Sequence, residues 1–228
     1  MKVALLVCDH VADDLAKKHG DYPDMFANLL DGFEVHSYAV VDNHFPHPEA
    51  YDAFVITGSR RSVYEKEDWI LGLAELTRKA HELKKKYLGV CFGHQMIAHA
   101  LGGKVERAAT GYLIGTHSFR ISRQKDWMIP MANNFNVLML CQDQVSHLPA
   151  GAQIIATNPD CPVAALSMGD HVLGIQGHPE FTVGYNRDVF ESRAHLMGAE
   201  RLEKARISLK RPPDYELLQC WIGQFLAF

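Results

Sequence analysis

Acyl transfer from an amide needs a nucleophile, a base beside it and a third group that fixes the base. One thiol of this chain has a local sequence suited to the first role. In Gly89-Val90-Cys91-Phe92-Gly93-His94-Gln95 an apolar stretch runs into Cys91, and a helix-like stretch begins just after it. Gly93 lets the backbone turn sharply and lets strand and helix approach closely, and Gly89 does the same on the strand side. A residue at such a turn is pushed out at the carboxyl edge of a sheet, in strained geometry, facing a ligand. The helix N-terminus beside it favours a thiolate, and the free amides of the first turn can face an oxyanion. The competing reading is a structural thiol at a strand end. His94 and His99 fit packed or solvated helix positions better than ligand positions.

The base must be a histidine with a carboxylate close behind it. His-Pro-Glu occurs twice, at His47-Pro48-Glu49 and at His178-Pro179-Glu180. The first copy lies in a polar loop that no strand feeds, and it reads as surface. The second follows Val172-Leu173-Gly174-Ile175-Gln176-Gly177, an apolar strand ending in glycine, which can deliver His178 to the same sheet edge as Cys91. Pro179 restricts the backbone, and residues two apart project to one side of an extended chain, so Glu180 can reach the imidazole nitrogen turned away from Cys91.

The elements that must position these groups alternate between strand and helix, which predicts an α/β fold. Strands are predicted at Val3 to Cys8, Glu34 to Val41, Asp52 to Thr57 and Leu88 to Cys91, with a polar loop over Asp42 to Glu49. Helices are predicted at Tyr22 to Leu30, Glu67 to Lys86 and Gly93 to Leu101. In the second of these, Ile70, Leu73, Thr77, Ala80 and Leu83 form one apolar stripe, and three lysines close the final turn. Short strands follow, at Val105 to Ala108, Thr116 to Ile121, Val137 to Cys141, Gln153 to Thr157, Val163 to Ser167 and Val172 to Gln176. Their turns suggest antiparallel parts. From Thr182 onward the chain reads as helical, broken near Pro212 and Pro213. Its last segment, Tyr215 to Phe228, carries an apolar stripe of Leu217, Leu218, Trp221, Ile222 and Phe225 that is expected to pack on the protein's own core.

Composition narrows the function classes. The 228 residues fit one domain over 1–228 with a C-terminal helical extension from about 182. The formal net charge of −4 offers no basic stripe for nucleic acid or anionic lipid. No run of about 18 apolar residues exists to span a membrane. The opening MKVALLVCDHVADD meets acidic residues at once and lacks a small-residue cleavage site, so it is not read as a signal peptide. Five scattered cysteines, Cys8, Cys91, Cys141, Cys161 and Cys220, imply reduced thiols in the cytoplasm, four of them small buried residues. No metal-ligand spacing is present, and no metal or organic cofactor is required.

Together these residues resemble the class I glutamine amidotransferases, glutaminase domains with a Cys-His-Glu triad. The blocks LGVCFGHQMIAHALGG (88–103) and GIQGHPEF (174–181) carry the resemblance, which extends from Val3 to about Phe181. It implies a flavodoxin-like three-layer sandwich with a central, mostly parallel sheet and an antiparallel extension. It implies catalytic Cys91, His178 and Glu180. Thr57-Gly58-Ser59 looks like the family's oxyanion strand, which gives the amides of Ser59 and Phe92 as oxyanion donors and Gly58 and Gln95 as substrate contacts. The implied reaction is hydrolysis of a γ-glutamyl amide, glutamine to glutamate and ammonia, through a Cys91 thioester. No synthetase motif is present, so ammonia delivery would need a separate synthetase chain. Within the family the chain is most like the GMP-synthetase glutaminase subgroup, whose stand-alone members include γ-glutamyl peptidases, and hydrolysis of γ-glutamyl peptides or glutathione conjugates is the alternative. A non-catalytic binding protein on the same fold is the rival from another class, and no triad member is missing to favour it. Three places depart from the family pattern, one of them Tyr112-Leu113-Ile114-Gly115, where the family's Glu-x-Gly is altered. Arg60 replaces a usual proline, which puts a cation near the site entrance, to pair with a substrate carboxylate or lie solvated. Leu140-Cys141-Gln142-Asp143 replaces the usual Ser-His-x-Asp.

Overall fold

The computed structural model describes residues 1–228. Its elements in chain order are β1 (Lys2–Val7), α1 (Asp13–His19), α2 (Tyr22–Leu29), β2 (Glu34–Ala39), β3 (Ala53–Ile56), α3 (Asp68–Glu82), β4 (Lys86–Val90), α4 (Phe92–Ala100), β5 (Lys104–Arg107), β6 (Leu113–Ile121), β7 (Asn134–Cys141), β8 (Asp143–His147), β9 (Ala152–Asn158), β10 (Cys161–Met168), β11 (Val172–Ile175), α5 (Val183–Ser192), α6 (Ala194–Met197), α7 (Ala199–Ser208) and α8 (Tyr215–Ala227). Nine strands form one sheet in the order β2-β1-β3-β4-β11-β10-β9-β6-β7, and β5 pairs with β8 in a small second sheet. The first five strands of that order run parallel, and the pairings from β11 outward are antiparallel. This is the flavodoxin-like α/β sandwich with an antiparallel extension.

The central strands are apolar on both faces, as a sheet covered by helices on both sides requires. Along β1, Val3, Leu5 and Val7 enter one buried cluster, while Ala4 and Leu6 enter another on the opposite face. The first cluster is covered by α2, α5 and α8, and Leu218, Trp221, Ile222 and Phe225 of α8 lie inside it. The second is covered by α3 and α4.

Local chemistry explains several helix starts. Asp21 caps α2 and forms a capping box with Asp24. Thr182 Oγ1 accepts from the Tyr185 amide at the start of α5. On α3, Ile70, Leu73, Thr77 and Ala80 are buried, whereas Leu83 is only half-buried.

The structure departs from the sequence reading in four places. Lys84, Lys85 and Lys86 do not close α3, which ends at Glu82. Lys84 turns the chain with φ +55°, and Lys86 already pairs with Ala53 in the sheet. The ladder claims Lys86 because Tyr87 and Leu88 must reach the core behind it. The short helix α1 and the strand β8 were not foreseen: α1 buries no residue, so it has no apolar stripe to read. Short 3₁₀ turns at Val40–Asp42 and Pro48–Ala50 overlap the two ends of the loop predicted over Asp42 to Glu49. Cys220 is exposed rather than buried. No helix is long and apolar enough to cross a membrane.

Candidate active site

Three neighbouring parallel strands, β3, β4 and β11, end at one edge of the sheet, and their register aligns Ile56 with Gly89 and Ile175 with Val90. The next residues of each chain build the site. Cys91 follows β4 directly and precedes α4, with φ 52° and ψ −102°. That is a strained conformation for a residue with a side chain, and it persists because the surroundings fix it. Gly89 and Gly93 are required for it. A Cβ on Gly89 would stand 2.3 Å from the Gly93 carbonyl, and one on Gly93 would stand 2.6 Å from the Ile56 oxygen.

His178 reaches the same edge after β11. Its amide donates to the Leu138 carbonyl at 2.8 Å, which draws the chain from β11 over to β7. Its Nδ1 lies 2.8 Å from Glu180 Oε1. The Phe181 ring stacks flat on the imidazole, with centroids 3.9 Å apart and planes at 6°. Hydrogen bond and stack together leave the ring one orientation. Gly58, just past β3, presses on the same pair: a Cβ there would stand 2.9 Å from His178 Cε1 and 3.7 Å from Cys91 Cβ. Thiol, imidazole and carboxylate are thus brought together, and the second His-Pro-Glu copy is the one involved. The first copy lies in the 3₁₀ turn at Pro48–Ala50.

The electrostatics favour a protonated imidazole. Burial alone would push the His178 imidazole down. The negative charges of Cys91 and Glu180, and the hydrogen bond to Glu180, outweigh it and hold its pKa up at about 10. Two more thiols lie near the site. Burial pushes Cys141 well up and Cys161 up to about 12, with the Cys91 charge adding to both.

The remaining expected residues are placed as follows. Ser59 lines the cavity above Cys91, and its amide donates to no protein acceptor. Phe92 is the first residue of α4, where an amide has no intrahelical acceptor. Gln95 also lines the cavity; its Nε2 donates to the Asp143 carbonyl at 2.7 Å and to Gln176 Oε1 at 3.3 Å. His94 is fully buried, pushed down to about 4 by that burial, and packs against Gly174. His99 lies on the exposed side of α4. Arg60 lines the cavity with its side chain about half exposed, as the solvated reading expects, and it also has a partner within the protein. Asp9 clamps its guanidinium through Nε at 2.8 Å and Nη2 at 2.7 Å. Asp9 follows β1, and sheet order alone sets it beside the loop after β3.

Two further residues shape the site, and the sequence reading gave neither a role there. Gln176 Nε2 donates toward Cys91 Sγ at 3.7 Å, so an amide dipole supports negative charge on sulfur. The signal was present, since Gln176 sits two residues before His178 on an extended chain. Asp143 is fixed by Ser62 Oγ at 2.6 Å. The cavity holds about 150 Å³ and opens to solvent between the β5–β8 sheet, the loop after β3 and the end of α5.

Comparison with known proteins gives the same picture. The family model for class I glutamine amidotransferases matches residues 26–194. Gamma-glutamyl peptidase 3 of Arabidopsis thaliana is 33% identical over 240 residues, covering 97% of this chain and 94% of that protein. The glutamine-hydrolysing GMP synthase of Chromobacterium violaceum is 37% identical over 57% of this chain, a stretch that makes up 25% of the synthase. Among solved structures, a glutamine amidotransferase of Thermotoga maritima superposes with a TM-score of 0.76 at 19% identity, covering 99% of this chain and 96% of that one.

Proposed function

The chain belongs to the class I glutamine amidotransferase family, and from that premise we propose that it hydrolyses γ-glutamyl amides with Cys91 as nucleophile, His178 as acid and base, and Glu180 as the group that orients His178. The observation that carries this is the meeting of a strained thiol after β4 with a buried imidazole held at 2.8 Å by a carboxylate.

His178 takes the proton of Cys91, which leaves a thiolate beside an imidazole whose surroundings favour its protonated form. The thiolate attacks the side-chain carbonyl carbon of the glutamyl group, and the carbonyl π electrons move onto oxygen. The amides of Ser59 and Phe92 receive that oxyanion, at about 3 kcal/mol for each donor. His178 passes its proton to the leaving nitrogen, the C–N bond breaks, and a glutamyl thioester remains. The now neutral His178 takes a proton from water, hydroxide adds to the thioester, and glutamate departs as the thiolate and imidazolium form again. Glu180 accepts from Nδ1–H throughout and keeps Nε2 facing the sulfur.

The leaving group defines the biology. A relative matched along nearly its whole length is named as a peptidase, which favours an amino acid or peptide leaving group. Ammonia is the leaving group in the second reading, favoured by the likeness to the GMP synthase, and its acceptor would then sit on a separate synthetase chain. The test is hydrolysis of glutamine and of a γ-glutamyl dipeptide by the isolated protein beside Cys91→Ala. Dipeptide turnover that Cys91→Ala abolishes supports the peptidase. Turnover of glutamine alone, or only once a synthetase is added, supports the amidotransferase. Turnover that survives in Cys91→Ala would sink the mechanism.

A further inference from the structure

The cavity above Cys91 is lined by four arginines, Arg60, Arg61, Arg107 and Arg193, and by a single carboxylate, Asp143. Two of the cations are spent within the fold. Arg60 is clamped by Asp9, and Arg61 pairs with Glu65 at 3.3 Å and Glu67 at 3.0 Å. Asp143 is held by Ser62 instead of by an arginine. Arg107 and Arg193 form no ion pair; the only other arginines that do are Arg187 and Arg206, which belong to the helical surface.

These two cations come from different elements of the cavity lining. Arg107 ends β5 in the small sheet, opposite Asp143 in its register, and Arg193 follows α5 in the C-terminal helical segment. The two parts of the lining are tied together, because Arg201 of α7 donates to the Thr110 carbonyl at 2.9 Å in the loop between β5 and β6, and to the Met197 carbonyl at 2.9 Å. Two guanidinium groups without an ion-pair partner at the mouth of a site form an anion receptor, since each presents a fork that matches a carboxylate.

Resting on the γ-glutamyl hydrolase reading, we propose that Arg107 and Arg193 bind the two carboxylates of a γ-glutamyl amino acid or peptide, one on the glutamyl group and one on the leaving residue. Glutamine brings a single carboxylate and releases a neutral amine, so it leaves one of the two cations uncompensated. A γ-glutamyl peptide neutralises both. The C-terminal helical segment thereby contributes a specificity residue, Arg193, to a site whose nucleophile stands on the sheet.

The test is calorimetric binding of γ-glutamylglycine and of its C-terminal amide to Cys91→Ala, which holds the ligand without turning it over. The free acid is expected to bind roughly ten- to a hundredfold more tightly than the amide, the usual weight of one charge-assisted hydrogen bond. Adding Arg107→Gln and Arg193→Gln together should erase that preference in a protein whose melting temperature is unchanged. Equal binding of acid and amide by Cys91→Ala itself would overturn the assignment without any arginine variant. A preference that survives both substitutions would overturn it too. Hydrolysis of γ-glutamyl p-nitroanilide by the wild type, whose leaving group has no carboxylate, tests the underlying reaction separately. Anilide cleavage without an acid preference overturns the arginine assignment alone, and no cleavage with no binding of either ligand overturns both.

Discussion

Replacing Gly58 by alanine adds one methyl group at the point where β3 delivers its chain to the site. That methyl carbon would stand 2.9 Å from His178 Cε1, while its next contact, Cys91 Cβ at 3.7 Å, is ordinary. Carbon atoms attract best at about 3.5 Å or more, so the imidazole must retreat by roughly 0.6 Å. It has little freedom to do so. Phe181 lies flat against the ring at 3.9 Å, and Glu180 holds Nδ1 at 2.8 Å. A misplacement near 1 Å in a reacting group costs about a hundredfold in rate, so the expected loss in kcat is about ten- to a hundredfold. Stability should fall by no more than about 1–3 kcal/mol, the usual cost of one extra carbon in a packed site. The assay is kcat and KM on γ-glutamyl p-nitroanilide, with the rate of Cys91 alkylation by iodoacetamide measured without substrate. Both rates should drop, and the alkylation result separates a displaced imidazole from a blocked substrate. Unchanged kcat and alkylation, in a protein shown to carry the alanine, would refute the claim that the position of His178 governs the reactivity of Cys91.

Gly89→Ala should fail differently. Its new carbon would meet backbone, the Gly93 carbonyl at 2.3 Å and the His94 nitrogen at 2.6 Å, and backbone between β4 and α4 cannot move aside. The expected result is a loss of several kcal/mol in a denaturant titration, about 3 or more, or failure to fold, not a folded enzyme of low kcat. His178 offers a test in pH. Its folded pKa of about 10 lies above the ordinary 6.5, so its contribution to stability is complete below about pH 6.5 and is lost as pH rises through 10. In Cys91→Ala the burial remains while any negative charge on the sulfur is gone. The imidazole pKa, followed by NMR, should therefore fall, and part of the stability loss above neutral pH should disappear with it. A His178 titration that stays near 10 in Cys91→Ala would contradict a role for Cys91 in holding that pKa up.

The fold class, and the meeting of Cys91, His178 and Glu180 at one sheet edge, were legible in the sequence because their signals are short-range. Gly89, Cys91 and Gly93 lie within five residues and can encode a strand-turn-helix elbow only one way. His178 and Glu180 lie two apart, and their duplicate at His47 and Glu49 was separable because only one copy follows an apolar strand. The α8 stripe also needed nothing beyond its own spacing to place Leu218, Trp221, Ile222 and Phe225 inside. The end of α3 was misjudged because three lysines suit a last turn equally well whether or not the sheet takes one of them.

What the tertiary structure alone decided involves partners far apart in the chain. Arg60 meets Asp9 across 51 residues, and Gln176 meets Cys91 across 85. No local pattern ties such pairs. They meet because the sheet order places β1 beside β3 and β11 beside β4, and parallel strands bring all their carboxyl ends to one edge. Composition could count the charges of this chain, but not say which arginines the fold neutralises. Ion pairing depends on a few ångströms between side chains, and only the packed sheet and the C-terminal helices fix those distances. They take Arg60 and Arg61 for the fold and leave Arg107 and Arg193 facing the cavity.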